Sequence, residues 1–327
     1  MSPARPTTRR FRVLAATVIL AATVVACGPE PTGEQAAVDG LVVLVADAAG
    51  SASLAVWSFE PTGGIDGTGA AAASELETPG DAMAWIATGR AQVLAATMLD
   101  GTILTSDPIG RAGPLAWRPV EAVDVDGDPP PGPAWFASWD PEGGRFATIT
   151  GDLPGGDDLD LTLVDPSTGG AFVIPLGQAL LPSAPVWLDG ERVALAGGST
   201  TDPYAVIVDT TTGEITDGPG GDRRFASSAD GSVIVSSGGP GEAVVVRSTG
   251  AWLDEQGTAI GTIDAPSGDA LATSIALDAG GDRLAIVWLG VDAGLRVDVH
   301  DGTDGWRRVI SPPLGQGTQA AVVAWSR

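Results

Sequence analysis

The sequence predicts an all-β protein, a six-bladed β-propeller of four-stranded blades. Three observations carry that expectation. One phrase recurs along the chain at intervals of 41 to 54 residues: a short apolar strand ending near a Trp, a Gly-rich turn, and a second apolar strand. A second phrase, a β-rich strand followed by a Thr-Gly turn, recurs inside the same units. No amphipathic helical pattern follows the first 26 residues. Units of four strands with a period near 50 are the pattern of propeller blades.

In chain order, residues 1–26 read as an export signal. Arg5, Arg9, Arg10 and Arg12 make a positive start, and Val13 to Ala26 is an apolar run. At about 14 residues it is too short to span a bilayer and fits a signal-peptide core. It ends in VVAC, Val24 to Cys27, and Cys27 is the only cysteine. This stretch resembles a bacterial lipobox. The resemblance implies that Cys27 is lipidated, by palmitate or a similar acyl chain, and anchors the protein on the outer side of the cell membrane. The alternative is an ordinary secretory signal with an incidental cysteine. Phe11 directly follows Arg9–Arg10, where a twin-arginine signal has a spacer, so the Sec and Tat routes both stay open. Residues 27–38 are polar and turn-rich, a tether reaching at most roughly 35–40 Å. The propeller is expected over residues 39–327.

Charge limits the partners. The chain has 17 basic and 41 acidic residues, a net charge of −24. Four of the basic residues lie in the signal, so the remainder is more acidic still. Such a surface repels nucleic acid, because phosphate binding needs clustered Lys or Arg. The sequence contains no Lys and no Asn. Both have AT-rich codons, which points to a GC-rich genome and to a high-GC Gram-positive source. A single cysteine allows no internal disulfide, so stability has to come from a buried core.

The first phrase appears as AMAWIATGRAQVLAA from Ala82, FASWDPEGGRFATI from Phe136, APVWLDGERVALA from Ala184, FASSADGSVIVSS from Phe225 and SIALDAGGDRLAIV from Ser274. Its anchor positions are Trp85, Trp139, Trp187, Ser228, Leu277 and, at the C-terminus, Trp325. The second phrase appears as LAVWSFEPTGG from Leu54, LTLVDPSTGG from Leu161, AVIVDTTTGE from Ala205 and AVVVRSTGA from Ala243. Asp, Ser and Thr bond to nearby backbone and Gly accepts positive φ, so these read as hairpin turns. A less regular fourth segment follows, such as AFVIPL from Ala171. AVVAWSR at the C-terminus is a first strand with nothing after it, and VDGLVVLV from Val38 is a second strand with nothing before it. Together they restore the phrase, so the last strand is expected to be the innermost strand of the first blade. The weak first repeat leaves seven blades as the alternative to six.

The segment WDPEGGRFATI followed by LTLVDPSTGG resembles the TolB-like and WD-repeat-like propellers, with their W-S-P-D-G and D-x-x-T-G turns. The resemblance covers about Gly40 to Arg327. It implies the fold and not a function, since propellers serve as scaffolds, ligand binders and enzymes. The chain departs from the TolB pattern by lacking the extra N-terminal domain and by keeping Trp at only four of six anchors. A TolB-type role is therefore not carried over.

Little in the sequence suggests catalysis. His300 is the only His and sits on a period-2 strand beside a turn, where a rim imidazole is the ordinary reading. There is no G-x-S-x-G nucleophile elbow, and zinc sites want Cys and His that are absent. Asp124, Asp126 and Asp128, with Glu121 nearby, form one acidic loop that could gather oxygens around Ca²⁺. Its Gly127 falls at the fourth position, not the sixth of an EF-hand loop, and the solvated linker is the competing reading. Among the tryptophans, Trp57, Trp117 and Trp288 are expected in the core, and Trp135, Trp252 and Trp306 are candidates for a sugar-stacking surface. Two functions follow: a lipid-anchored binding or scaffold module for a protein, envelope or small-molecule ligand, or a calcium-assisted hydrolase or lyase with channel carboxylates.

Overall fold

The computed structural model describes residues 40–326 apart from 59–71, 81–82, 90–91, 110–114, 125, 131, 153–158, 178–182, 199–200, 255–256, 293, 304, 311–313 and 315–316. The export signal, Cys27 and the tether lie outside these residues. Blade 1 contains β1 (Gly40–Asp47), β2 (Ala52–Ser58) and β3 (Ala72–Leu76), and blade 2 runs through β4 (Met83–Thr88), β5 (Leu94–Met98), β6 (Ile103–Ser106) and β7 (Trp117–Pro119). Blade 3 is β8 (Ala134–Trp139), β9 (Phe146–Thr150), β10 (Asp160–Val164) and β11 (Ala171–Pro175). Blade 4 is β12 (Val186–Trp187), β13 (Arg192–Gly198), β14 (Pro203–Asp209) and β15 (Ile215–Gly220). Blade 5 is β16 (Arg224–Ser227), β17 (Val233–Ser237), β18 (Val244–Ser248) and β19 (Gly261–Ile263), with α1 (Thr249–Leu253) between its last two strands. Blade 6 is β20 (Leu271–Leu277), β21 (Arg283–Gly290), β22 (Gly294–Asp301) and β23 (Arg307–Ile310), and β24 (Thr318–Trp325) ends the chain. Six four-stranded antiparallel sheets result, five of them simple meanders of consecutive strands.

The expected closure is present. The first sheet has the order β24-β1-β2-β3, with Leu41 opposite Trp325 and Val43 opposite Val323. Ser326 fastens the seam: its amide donates to the Gly40 carbonyl at 2.9 Å, and its hydroxyl accepts from the Gly40 amide at 2.9 Å. The unbroken apolar run of β1 follows from its place. Alternate side chains point to opposite faces, and both faces are covered. Leu41 and Val43 pack with Ala285 and Val287 of blade 6, while Val42 and Leu44 pack with Ile86 and Leu94 of blade 2. One such cluster fills each of the six interfaces between neighbouring blades.

The first-phrase turns also join blade to blade. Trp187 Nε1 of blade 4 donates to the Ser138 carbonyl of blade 3 at 3.0 Å. Trp325 Nε1 of blade 1 donates to the Ala276 carbonyl of blade 6 at 3.0 Å. Each indole lies under an arginine from the turn of the preceding blade, Arg145 over Trp187 at 5.0 Å and Arg283 over Trp325 at 4.7 Å. Each arginine is held by an aspartate of its own turn, Asp140 at 3.3 Å and Asp278 at 3.0 Å. The carboxylates meanwhile accept turn amides, from Gly144 in one case and Asp282 in the other. An Asp–Arg–Trp clasp thus occurs twice, combining ion pairing with a cation–π contact worth about 0.5–2 kcal/mol.

Two anchors differ from expectation. The residue before the turn of blade 2 is Thr88, not Trp85, and that of blade 5 is Ser227, not Ser228. The hydrogen bonds that close the turns, Gly89 N to Val93 O and Ser228 N to Val233 O, set these positions. Trp85 lies three residues before Thr88, in a stretch that pairs in regular register with Leu94 to Thr97, and there it meets Phe136 of blade 3 edge-on with ring centroids 5.1 Å apart. Thr88 takes the anchor's role by donating its hydroxyl to the Trp325 carbonyl. The fourth Thr-Gly turn is also different. After β18 the chain enters α1, because Ser248 caps it by accepting from the Ala251 amide. The turns at Asp165 and Asp209 form as expected, each aspartate accepting amides two residues on.

Candidate functional site: axial cavity and rim cleft

The ends of all six innermost strands surround an axial cavity of about 90 Å³. The positions just before the anchors are Ala87, Ser138, Val186, Ala226, Ala276 and Ala324. Small side chains there let the strands approach the axis, and hydroxyls come from Thr88, Ser138 and Ser227. None of the described residues lining this cavity carries an ionisable side chain. General acid–base work by paired carboxylates needs two such groups within reach of one bond.

A larger cleft of about 540 Å³ opens at the rim between blades 3 and 4. It forms where the loop from Glu121 is sewn to the edge of blade 3, by a parallel bridge between Val123 and Gly170. Val123 and Phe172 are exposed apolar walls, and Arg145, Asp124 and Asp165 supply charge. Partial burial works to raise the Asp165 carboxyl, but hydrogen bonds from Ser167 and Thr168 outweigh it and hold the group below the usual carboxylate range.

The acidic loop does not assemble the oxygen cage considered from the sequence. Asp124 Oδ1 accepts the amides of both Asp126 and Asp128 at 2.9 Å, so this carboxylate closes a tight turn. Asp126 and Asp128 are exposed. Among the described residues, no group of three or more His, Cys, Asp or Glu side chains converges on one point. Trp252 and Trp306, candidates for a sugar-stacking surface, are buried. Trp252 meets Phe225 edge-on, and Trp135 is half-buried with its indole donating to the Gly151 carbonyl.

His300 is buried rather than at the rim, 6% exposed. A carbonyl only accepts, so the 3.3 Å contact to the Trp306 oxygen makes Nδ1 the protonated nitrogen. Nε2 has no partner among the described residues. Burial pushes its pKa below the ordinary value, outweighing Trp306 and Asp298, with Arg308 and Arg296 adding to the fall. The unfolded chain therefore binds a proton at higher pH than the folded one. His300 should leave stability intact above about pH 6.5 and reduce it as pH falls below that value. Urea midpoints measured from pH 7.5 to 5 should fall more for the wild type than for His300→Gln. Parallel profiles would show that the imidazole is not held neutral.

These observations define a class: a six-bladed β-propeller closed by its own C-terminal strand, with a narrow axial cavity whose described lining carries no ionisable group and a wider cleft at its rim. Among solved structures it is similar to a protein assigned as TolB from Agrobacterium tumefaciens, with 14% identity over 88% of this chain and 99% of that one, and a TM-score of 0.52. It is likewise similar to the Cps50 (Swd1) β-propeller domain of Myceliophteria thermophila, with 13% identity over 88% and 90% of the two chains and a TM-score of 0.51. At these identities the likeness shows the fold alone, of the TolB and WD40 type. No family model matches the chain, and no curated protein matches it.

Proposed function

We propose that the protein is a binding or scaffold module, held to the outer face of the cell membrane by a lipid on Cys27, which engages a protein, an envelope polymer or a small ligand. The observation that carries this reading is the axial cavity, whose described lining has no ionisable side chain to act as acid, base or nucleophile. The net charge of −24 supports a partner other than nucleic acid. The lipobox-like VVAC supports the anchor.

The test is cross-linking and co-purification of the tagged protein from its own membranes, with and without EGTA. A recurrent, stoichiometric partner is expected in both conditions. Loss of that partner in EGTA would restore calcium at Asp124, Asp126 and Asp128, and absence of any partner or ligand would overturn the scaffold reading. In parallel, Cys27→Ser should move the protein from the membrane fraction to the soluble one and abolish labelling by palmitate. Unchanged fractionation would count against the anchor.

A further inference from the structure

We propose that Arg224 and Ser237 form a subsite for a carboxylate at the head of the innermost strand of blade 5. Arg224 opens β16, and the next residue, Phe225, lines the axial cavity. Arg224 and Ser237 are register partners on adjacent strands, which places their side chains on one side of the sheet, about 4.5–5.5 Å apart at Cβ. Ser237 is 2% exposed, and its hydroxyl has no partner among the described residues.

Arg224 is mostly enclosed, yet its one hydrogen bond among the described residues runs from Nη1 to the carbonyl of its neighbour Arg223 at 2.8 Å. No described acid pairs with it. Burial lowers its pKa from the ordinary value, and the adjacent Arg223 adds to the fall, but a guanidinium stays charged at any physiological pH. An enclosed charge without a counter-ion is costly, and its unused N–H donors form a fork that fits a planar oxyanion.

The nearby acids are turned elsewhere. Ala226 and Val235 lie on the same side of the sheet as Arg224 and Ser237 and pack toward blade 6. Phe225 is on the other side, toward blade 4. There Asp222 accepts from the indole of Trp252, a member of the blade 4–5 cluster. Glu242 accepts from the Gly239 amide at 2.6 Å. One guanidinium and one hydroxyl in a chain of net charge −24 suit a singly charged planar group better than a phosphate dianion. The fork suits the carboxylate of a small acid or of a partner's Asp, Glu or C-terminus.

This subsite rests on the binding reading and can fail without it. The test follows the arginine Nε–Hε signals of the intact protein by NMR during titration with succinate, with the tripeptide Gly-Gly-Glu, and with inorganic phosphate, against NaCl at matched ionic strength. One arginine signal is expected to shift saturably with the carboxylates. Affinity should fall at least tenfold in Arg224→Gln, severalfold in Ser237→Ala, and partly return in Arg224→Lys. Preference for the tripeptide would assign the carboxylate to a protein, and preference for succinate to a small acid. A shift unchanged in Arg224→Gln, a shift reproduced by NaCl, or tighter binding of phosphate would overturn the assignment. Without ligand, Arg224→Gln should melt at or above the wild-type temperature, since it removes an uncompensated charge. A clear drop in melting temperature would mark a structural arginine and overturn the proposal. Partner capture that survives Arg224→Gln would sink the subsite while leaving the binding function standing.

Discussion

Trp325→Ala should lower the unfolding free energy by about 3–5 kcal/mol, the usual cost of truncating a buried aromatic to Ala. Three contacts are lost together. The indole is 2% exposed in the cluster between blades 6 and 1, its N–H bonds to the Ala276 carbonyl, and its ring lies under Arg283. All three sit at the seam where the last strand completes the first blade. A loss of this size is a large fraction of the stability of an ordinary domain, about 5–15 kcal/mol. Urea denaturation followed by tryptophan fluorescence and by far-UV circular dichroism would measure it. A loss below about 1 kcal/mol would show that the seam is held by strand pairing alone.

Gly231→Ala should be nearly as damaging, for a different reason. Gly231 forms the turn of blade 5 with φ +69°, a conformation that costs other residues about 1–2 kcal/mol. A Cβ there would also stand 1.8 Å from the Leu188 carbonyl oxygen of blade 4. That obstacle is backbone and cannot swing aside, so the two blades would have to part. Overpacking of this kind adds roughly 1–3 kcal/mol. Gly268→Ala is the matched control, since no atom lies within 4 Å of the Cβ it would gain and its φ is not in the left-handed range. Equal urea midpoints for the two variants would falsify the account of the blade 4–5 contact.

The ring was legible because its period is written in residue type. Trp139, Trp187, Leu277 and Trp325 stand at the anchor before the turn in four blades, and the Thr-Gly turns at Asp165 and Asp209 form where they were expected. The closure could be read from two incomplete phrases at opposite ends. What misled was the use of Trp as a marker of position. Blade 2 places its Trp three residues before the anchor, where it packs on Phe136 of blade 3, and Thr88 does the anchor's work with a hydroxyl. Nor did Ser248-Thr249-Gly250 reveal whether Ser248 would hold a hairpin or cap α1, since the same hydroxyl serves both. The clasp residues Asp140, Arg145, Asp278 and Arg283 are plain in the sequence. Their indole partners come from the next blade, however, and no local pattern names them. The same holds for Arg224: its charge is obvious, while its enclosure and the lack of a counter-ion among the described residues appear only when six blades surround the axis.

The seam also sets a time for folding. Gly40 and Ser326 are hydrogen-bonded across a sequence separation of 286 residues, so the first blade is completed only after β24 has been made. Contacts this distant in sequence form slowly, because the ends of a long chain must find each other first. Until then the inner edge of β1, an apolar strand, is left without its partner. A chain in that condition shows a bare apolar edge, a template for pairing with other chains, until β24 docks and the ring gains its resistance to unfolding.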